Sequence, residues 1–238
     1  MNTKRLSRRE ALGMIGVAGA AASLGCGSGA SSPTATSNPT TGSSGTGASS
    51  GCAVTPTETI GPYPSLTNFI RSDIREGKSG LPVALTILVV NTNNSCSPVA
   101  NAAVDIWQCD ADGHYSEYAQ AGYNGSGQTF LRGIQMTDAS GRVNFTTVFP
   151  GWYQGRATHI HVEVKVNNSV AKISQIAFPE SVTAAVYATG TYASRGQNPT
   201  SLARDMVFAD GVSNELATIT GGDASSGYSA TFTVAVAV

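Results

Sequence analysis

Pro150-Gly-Trp-Tyr-Gln-Gly-Arg-Ala-Thr-His-Ile-His-Val-Glu-Val-Lys-Val166 packs a phenol, a guanidinium and two imidazoles into one short span that then falls into strict alternation. Ile160, Val162, Val164 and Val166 take one face of a period-two element, and His159, His161, Glu163 and Lys165 take the other. Same-face residues two apart on a strand sit roughly 6.5–7 Å apart at Cα, so both imidazoles can converge on one metal ion. Tyr153 precedes His159 by six residues and reaches the strand through a Gly-containing turn. Alone, a His-x-His strand fits a polar face, or a zinc or copper pair, better than an iron site.

Outward from this stretch the chain reads as short strands separated by turn clusters. Pro82–Asn91 is mostly apolar on both faces and predicts a central strand. Ala102–Cys109 is expected to pair back on it, with Val104 and Ile106 facing away from Asp105 and Trp107. That strand runs into Asp110–Tyr118, where Asp112-Gly113 marks a tight turn and leaves Tyr115 just beyond a strand end. Phe130–Gln135 and Gly141–Phe149 read as a further pair of strands joined at Asp138–Gly141. Ile173–Phe178 and Tyr228–Val238 read as strands, and Glu180–Ala188 and Ser201–Phe208 as short helices. Ahead of them, Thr55–Pro64 carries three prolines and no period, which predicts an extended arm, and Ile70–Gly77 is a charged connection. Strands this short and closely spaced predict an all-β sandwich.

The first fifty-odd residues hold no core-forming pattern, so one domain is expected, covering 52–238. Lys4 to Arg9 form a basic region ahead of the apolar run Ala11–Gly25, which is too short for a bilayer core of ~30 Å. Ser7-Arg8-Arg9-Glu10-Ala11-Leu12 resembles a twin-arginine export signal, and Cys26 after Ser23-Leu24-Gly25 resembles a lipoprotein cleavage site. Residues 1–26 are therefore read as a leader, with periplasmic, cell-surface or extracellular localisation and membrane contact only through a lipid anchor at Cys26. Residues 27–51 contain only Gly, Ser, Thr, Ala, Pro and Asn and cannot build a core. As a tether they would reach roughly 25–30 Å. The net charge of −1 with only 12% charged residues offers no basic stripe for nucleic acid.

Cys52, Cys96 and Cys109 follow the leader, in a compartment expected to permit disulfides. Cys96 and Cys109 lie at opposite ends of the strand expected at Ala102–Cys109, roughly 25 Å apart. Cys52 is therefore expected to pair with one of them.

Three segments together resemble a known family: Asp105-Ile106-Trp107-Gln108-Cys109-Asp110-Ala111-Asp112-Gly113-His114-Tyr115-Ser116, Phe130-Leu131-Arg132-Gly133, and Gly151-Trp152-Tyr153-Gln154-Gly155-Arg156-Ala157-Thr158-His159-Ile160-His161. They look like the intradiol ring-cleavage dioxygenases, the group of protocatechuate and catechol dioxygenases, and most like its exported single-domain members. The resemblance runs from about Cys52 to the C-terminus. It implies a prealbumin-like β-sandwich with short helices and long loops around a non-haem Fe(III). It further implies Tyr115, Tyr153, His159 and His161 as metal ligands, Tyr153 as the labile ligand and base, and Arg156 as the cation that stabilises charge developing on the ring. Gly61, Pro62 and Tyr63 would wall the substrate pocket and Gln175 would orient part of it. The partners implied are a catechol-type aromatic diol and O2, and the product is a cis,cis-muconate-type diacid. Hard ferric iron suits phenolate, and two phenolates with one hydroxide neutralise its charge.

Gln108 stands where the family often has histidine, and Pro64 where a second aromatic is frequent. His114 is expected to face solvent, Arg132 to be a structural donor rather than a catalytic group, and Trp107 and Trp152 to pack. Tyr118 and Tyr123 carry no motif role. Two alternatives stay open on the residues themselves: an exported β-sandwich lipoprotein that binds phenolics or a partner without turnover, and a copper or zinc site on His159 and His161.

Overall fold

The computed structural model of the protein describes residues 52–238; the leader, the tether and Cys26 lie outside the described residues. The chain order is β1 (Pro82–Asn91), β2 (Ser97–Pro98), β3 (Ala103–Trp107), β4 (Ala119–Gln120), β5 (Tyr123–Asn124), β6 (Arg132–Met136), β7 (Arg142–Val148), β8 (His159–Val166), β9 (Ser169–Ala177), α1 (Glu180–Tyr187), β10 (Thr218–Asp223) and β11 (Gly227–Val236). Two sheets share the core. One runs β10-β11-β1-β2 with β7 also on β1, the other runs β6-β3-β8-β9, and β4-β5 is a small separate hairpin. Alternation explains the layering: Val83, Leu85, Ile87 and Val89 of β1 meet Val104 and Ile106 of β3 and Ile160, Val162 and Val164 of β8 in one buried cluster. No helix among the described residues is long and apolar enough to cross a membrane.

The β-sandwich is as expected, but its elements and their wiring differ from the sequence reading in several places. β3 does not pair on β1. The two-residue β2 takes the antiparallel slot against Val90 and Asn91, and the chain then crosses to the opposite sheet. β6 and β7 do not pair as a hairpin either; the Asp138–Gly141 turn carries the chain from β3's neighbour to β1's neighbour. β7 sends Val143 and Phe145 into the core, whereas β6 adds no side chain to it and is placed by its pairing with β3. Ser201–Phe208 is not a helix beyond the 3-10 turn Leu202–Arg204, because Asp205 leaves it in an extended conformation (φ −78°, ψ 125°). β10 went unrecognised, as did the parallel pairing of β11 on β1, with Ile87 opposite Phe232.

The functional face is the outer side of the β6-β3-β8-β9 sheet. Antiparallel register sets its side chains in rows. One row runs Arg132, Trp107, His161, Gln175, and the next same-face row begins Ile134, Asp105, Glu163, Ile173. The arm ahead of β1 covers these rows. It is fastened by Thr55 N–H to the Ala235 carbonyl (3.0 Å), Glu58 N–H to Ile173 (3.0 Å) and Arg71 N–H to Ile134 (3.1 Å). A Cys52–Cys96 disulfide with Cα atoms 5.8 Å apart holds its start, which leaves Cys109 buried and free.

Covering the sheet buries Asp105, 8% exposed, opposite Glu163 with only the Ser65 hydroxyl as donor at 3.3 Å. Burial, partly offset by that hydroxyl, pushes its carboxyl from 3.8 up to about 7. Between those values the unfolded chain binds fewer protons than the folded one, so this group costs stability as pH rises through the window and most above it. Asp105→Asn should flatten that slope and stabilise the protein at pH 8 by on the order of 2–4 kcal/mol, with little effect below pH 4. Urea unfolding at both pH values checks it.

Candidate metal centre

His161 is set by its row. Trp107 stacks on it with ring centroids 5.0 Å apart and planes at 3°. On the arm, a Cβ at Gly61 would stand 2.7 Å from the His161 ring, and the Gly61 φ of +79° disfavours any side chain there. The arm backbone thus lies directly against the imidazole. His159, two residues earlier on the same face, turns its Nδ1 toward the Ala157 carbonyl at 2.6 Å. That bond places the proton on Nδ1 and leaves a lone pair on Nε2. His159 Nε2 in turn lies 3.2 Å from His161 Nε2 and 3.1 Å from Tyr153 Oη.

Tyr115 arrives from a different element. Asp110 organises the loop beyond β3 by accepting from the N–H groups of Asp112 (3.0 Å) and His114 (2.9 Å), and Gly113 turns at a φ of +82°. The Tyr115 ring then packs 5.8 Å from Tyr153 and 6.2 Å from His161. Its Oη is buried with no hydrogen-bond partner, as is His161 Nδ1. All four aromatic side chains therefore meet at one point, although their residues come from three segments of the chain.

Burial holds all four groups neutral in the absence of a cation. It pushes the Tyr115 phenol up, with the neighbouring Tyr153 adding to the effect, and Tyr153 itself up to about 12. Burial, aided by the Arg156 charge, pushes His159 down to about 3; burial and the adjacent His159 push His161 down as well. Two imidazole lone pairs and two phenol oxygens, one without any partner, form a set that hydrogen bonding cannot satisfy and a cation can. The donor types fit a hard ferric ion, which would take the phenols as phenolates.

Arg156 approaches the same point from the turn ahead of β8. Its Nε donates to both Asp205 oxygens (3.1 and 2.9 Å), and its Nη2 donates to Gln175 Oε1. Asp205, 1% exposed, also accepts from Ala157 N–H (2.5 Å) and Val207 N–H (2.8 Å). Gln175 passes the contact on to the arm through Nε2 to the Thr59 carbonyl at 3.0 Å. Sequence reading missed Asp205, which lies 49 residues from Arg156 within a segment taken for a helix.

Arg132 is structural, as expected. Buried, it donates to Ser116 Oγ (2.8 Å), the Ser116 carbonyl (2.7 Å) and the Tyr63 carbonyl (2.9 Å), and it pairs with Glu117 at 3.2 Å. It thereby ties the arm to the Tyr115 loop. Tyr63 lies against Tyr115 at 4.8 Å and Tyr118 at 5.3 Å, and Pro62 is the exposed link between it and Gly61. Gln108, where histidine is frequent in the family, is buried and bonded to the Val148 carbonyl (2.9 Å) and Thr147 Oγ1 (3.0 Å), away from the centre. His114 is only partly exposed, stacked on Tyr123 at 4.2 Å. Trp152 packs under Arg195 and donates to the Gly196 carbonyl at 3.1 Å.

This arrangement has known counterparts. Residues 62–182 match the family described as Dioxygenase. An intradiol ring-cleavage dioxygenase from Tetranychus urticae superposes with a TM-score of 0.73 at 31% identity, covering 78% of this chain and 95% of that one. The chain belongs to the intradiol ring-cleavage dioxygenases. The dioxygenase domain of a dioxygenase and carbohydrate-binding protein fusion from Streptomyces sp. SirexAA-E shares the fold at a TM-score of 0.58 and 23% identity, covering 78% of this chain and 99% of that one. Catechol 1,2-dioxygenase from Pseudomonas arvilla C-1 shares it at 0.54 and 19% identity, over 76% of this chain and 62% of that one. No curated protein matches the chain in sequence.

The close approach of Gly61 is a sharp test of how this dioxygenase holds the centre. Gly61→Ala should cost roughly 1–3 kcal/mol from the positive φ. It should also displace the arm from His161, lowering metal content at saturating iron. Thermal unfolding and metal analysis of the same preparation check both.

Proposed function

We propose that this intradiol dioxygenase binds a non-haem Fe(III) through Tyr115, Tyr153, His159 and His161 and cleaves a catechol-type aromatic between its two hydroxylated carbons, placing both atoms of O2 in a cis,cis-muconate-type diacid. The observation that carries the reading is the meeting of two imidazole Nε2 atoms and two phenol oxygens in a buried spot. When bound, the ferric ion keeps the phenols ionised and activates the diol toward O2.

The chain's own groups divide the remaining work. Tyr115 is fully buried beneath Tyr63, whereas Tyr153 is half-buried at the open side. Tyr153 is thus the ligand free to move, and its Oη takes one of the two catechol protons. Tyr115 has nowhere to go and stays. Arg156, held from behind by Asp205 and steadied by Gln175, presents a fixed positive charge beside the diol, where negative charge develops on the ring. Gly61, Pro62 and Tyr63, all within the arm, close one wall of the substrate space and limit water there.

We infer from the leader features that this activity lies outside the cytoplasm, with Cys26 as the site of a lipid anchor. The Cys52–Cys96 disulfide supports an oxidising compartment.

Iron-replete protein should consume O2 when a catechol is added, forming a ring-opened diacid seen by near-ultraviolet absorbance, and should show a visible phenolate-to-iron band that Tyr153→Phe alters. Iron-replete protein that takes up no O2 across a panel of substituted catechols, protocatechuate included, would sink the assignment. Arg156→Ala should lower kcat by about 10²–10³ while the visible band persists.

A further inference from the structure

β9 is the edge strand of the functional sheet, and two segments pair along its free side. Glu58 N–H of the arm donates to the Ile173 carbonyl at 3.0 Å. Four residues further along, Ala177 N–H donates to the Glu215 carbonyl and accepts Ala217 N–H on its own carbonyl, both at 2.8 Å. Between these two attachments the carboxylates of Glu58, Asp210 and Glu215 come together, one oxygen from each lying within 4.8 Å of the others.

Three like charges this close repel unless something positive lies among them. No ion pair among the described residues involves any of the three. Arg156, whose charge reaches Glu58, is already bound to Asp205. Glu215 makes the case strongest. It is 0% exposed, its Oε1 takes the Ser174 hydroxyl at 3.1 Å, and its Oε2 is buried with no partner at all. Burial, with the charges of Glu58 and Asp210, pushes its carboxyl up to about 7. A second acidic cluster, Asp110, Asp112 and His114, differs in this respect. There Asp110 is matched by Lys78 at 2.6 Å and by backbone N–H donors.

We propose that Glu58, Asp210 and Glu215 form a second metal site, distinct from the iron centre, that takes a divalent cation of the calcium class. All its donors are hard carboxylate oxygens, and their separation suits an ion bonded to each at about 2.3–2.6 Å. Asp210, which is exposed, leaves the ion open to water for its remaining ligands. The site joins the arm to the loop that follows Asp205. Glu58 is three residues ahead of Gly61, which lies against His161, and Asp210 is five residues past the carboxylate that holds Arg156. The bound ion therefore clamps both walls of the iron pocket from outside.

The test uses iron-loaded protein stripped of loose cations on a chelating resin, with the visible band monitored to show that iron is retained. Titration with CaCl2 in a calorimeter should give one site per chain, and at a hundredfold excess over Kd the Tm should rise by roughly 5–10 °C. Asp210→Asn changes an exposed residue and should leave the cation-free Tm close to that of the unaltered protein while abolishing both heat and shift. Glu58→Gln should do the same. Absence of heat and of any Tm change up to about 10 mM calcium, above the range of weak extracellular sites, overturns the proposal, with Glu215 then simply protonated. A Tm rise that survives both substitutions overturns it equally, because the ion then binds elsewhere.

Discussion

Everything in this structure turns on two imidazoles that face each other across 3.2 Å in a dry site. His159 donates its only N–H to the Ala157 carbonyl, and His161 is pressed between Trp107 and the backbone of Gly61, so neither ring can turn away. His161 Nε2–H can donate to the His159 lone pair only by leaving its own Nδ1 buried without a partner. With Tyr153 beside them and an unpartnered Tyr115 hydroxyl nearby, a cation is the natural resolution. A β-strand supplies this constraint cheaply, because alternation sends residues two apart to the same side and antiparallel neighbours fix the row.

The rest of the fold keeps that spot closed and its neighbours in place. The outer face of a sheet is normally wet, and here the arm between Cys52 and Gly77 turns it into an interior. Burial raises the cost of every ionisable group beneath it, as Asp105 shows, and the same desolvation would strengthen the field of Arg156 at a diol bound beside the four side chains. Arg132, Asp205 and Gln175 are the fasteners. Each binds two segments that would otherwise meet only through solvent.

The β8 face was legible because its period is local: His159 and His161 against Ile160 and Val162 can be read from consecutive letters. Tyr115, Tyr153 and Arg156 were legible only through the family resemblance, since nothing in their spacing says that a loop beyond β3 and a turn ahead of β8 meet. Strand existence was largely readable and strand partners were not. β3 has an apolar face that either sheet would accept, β6 has almost none to direct it, and a two-residue β2 that captures the edge of β1 leaves almost no signal. Asp205 was invisible for the opposite reason. Its surroundings have helical composition, and the partners that hold its carboxylate, the Arg156 guanidinium and the Ala157 N–H, lie almost fifty residues away.

A single ferric ion among these four side chains would engage both imidazole Nε2 atoms and both phenol oxygens at once. A crystal structure of the iron-loaded protein, with anomalous difference density recorded on both sides of the iron edge, tests it most directly. The expected result is a single peak, present above the edge and lost below it, bonded to Nε2 of His159 and His161 and to the hydroxyl oxygens of Tyr115 and Tyr153. A peak that vanishes only at the zinc or copper edge, or iron bound without the two tyrosines, would contradict it.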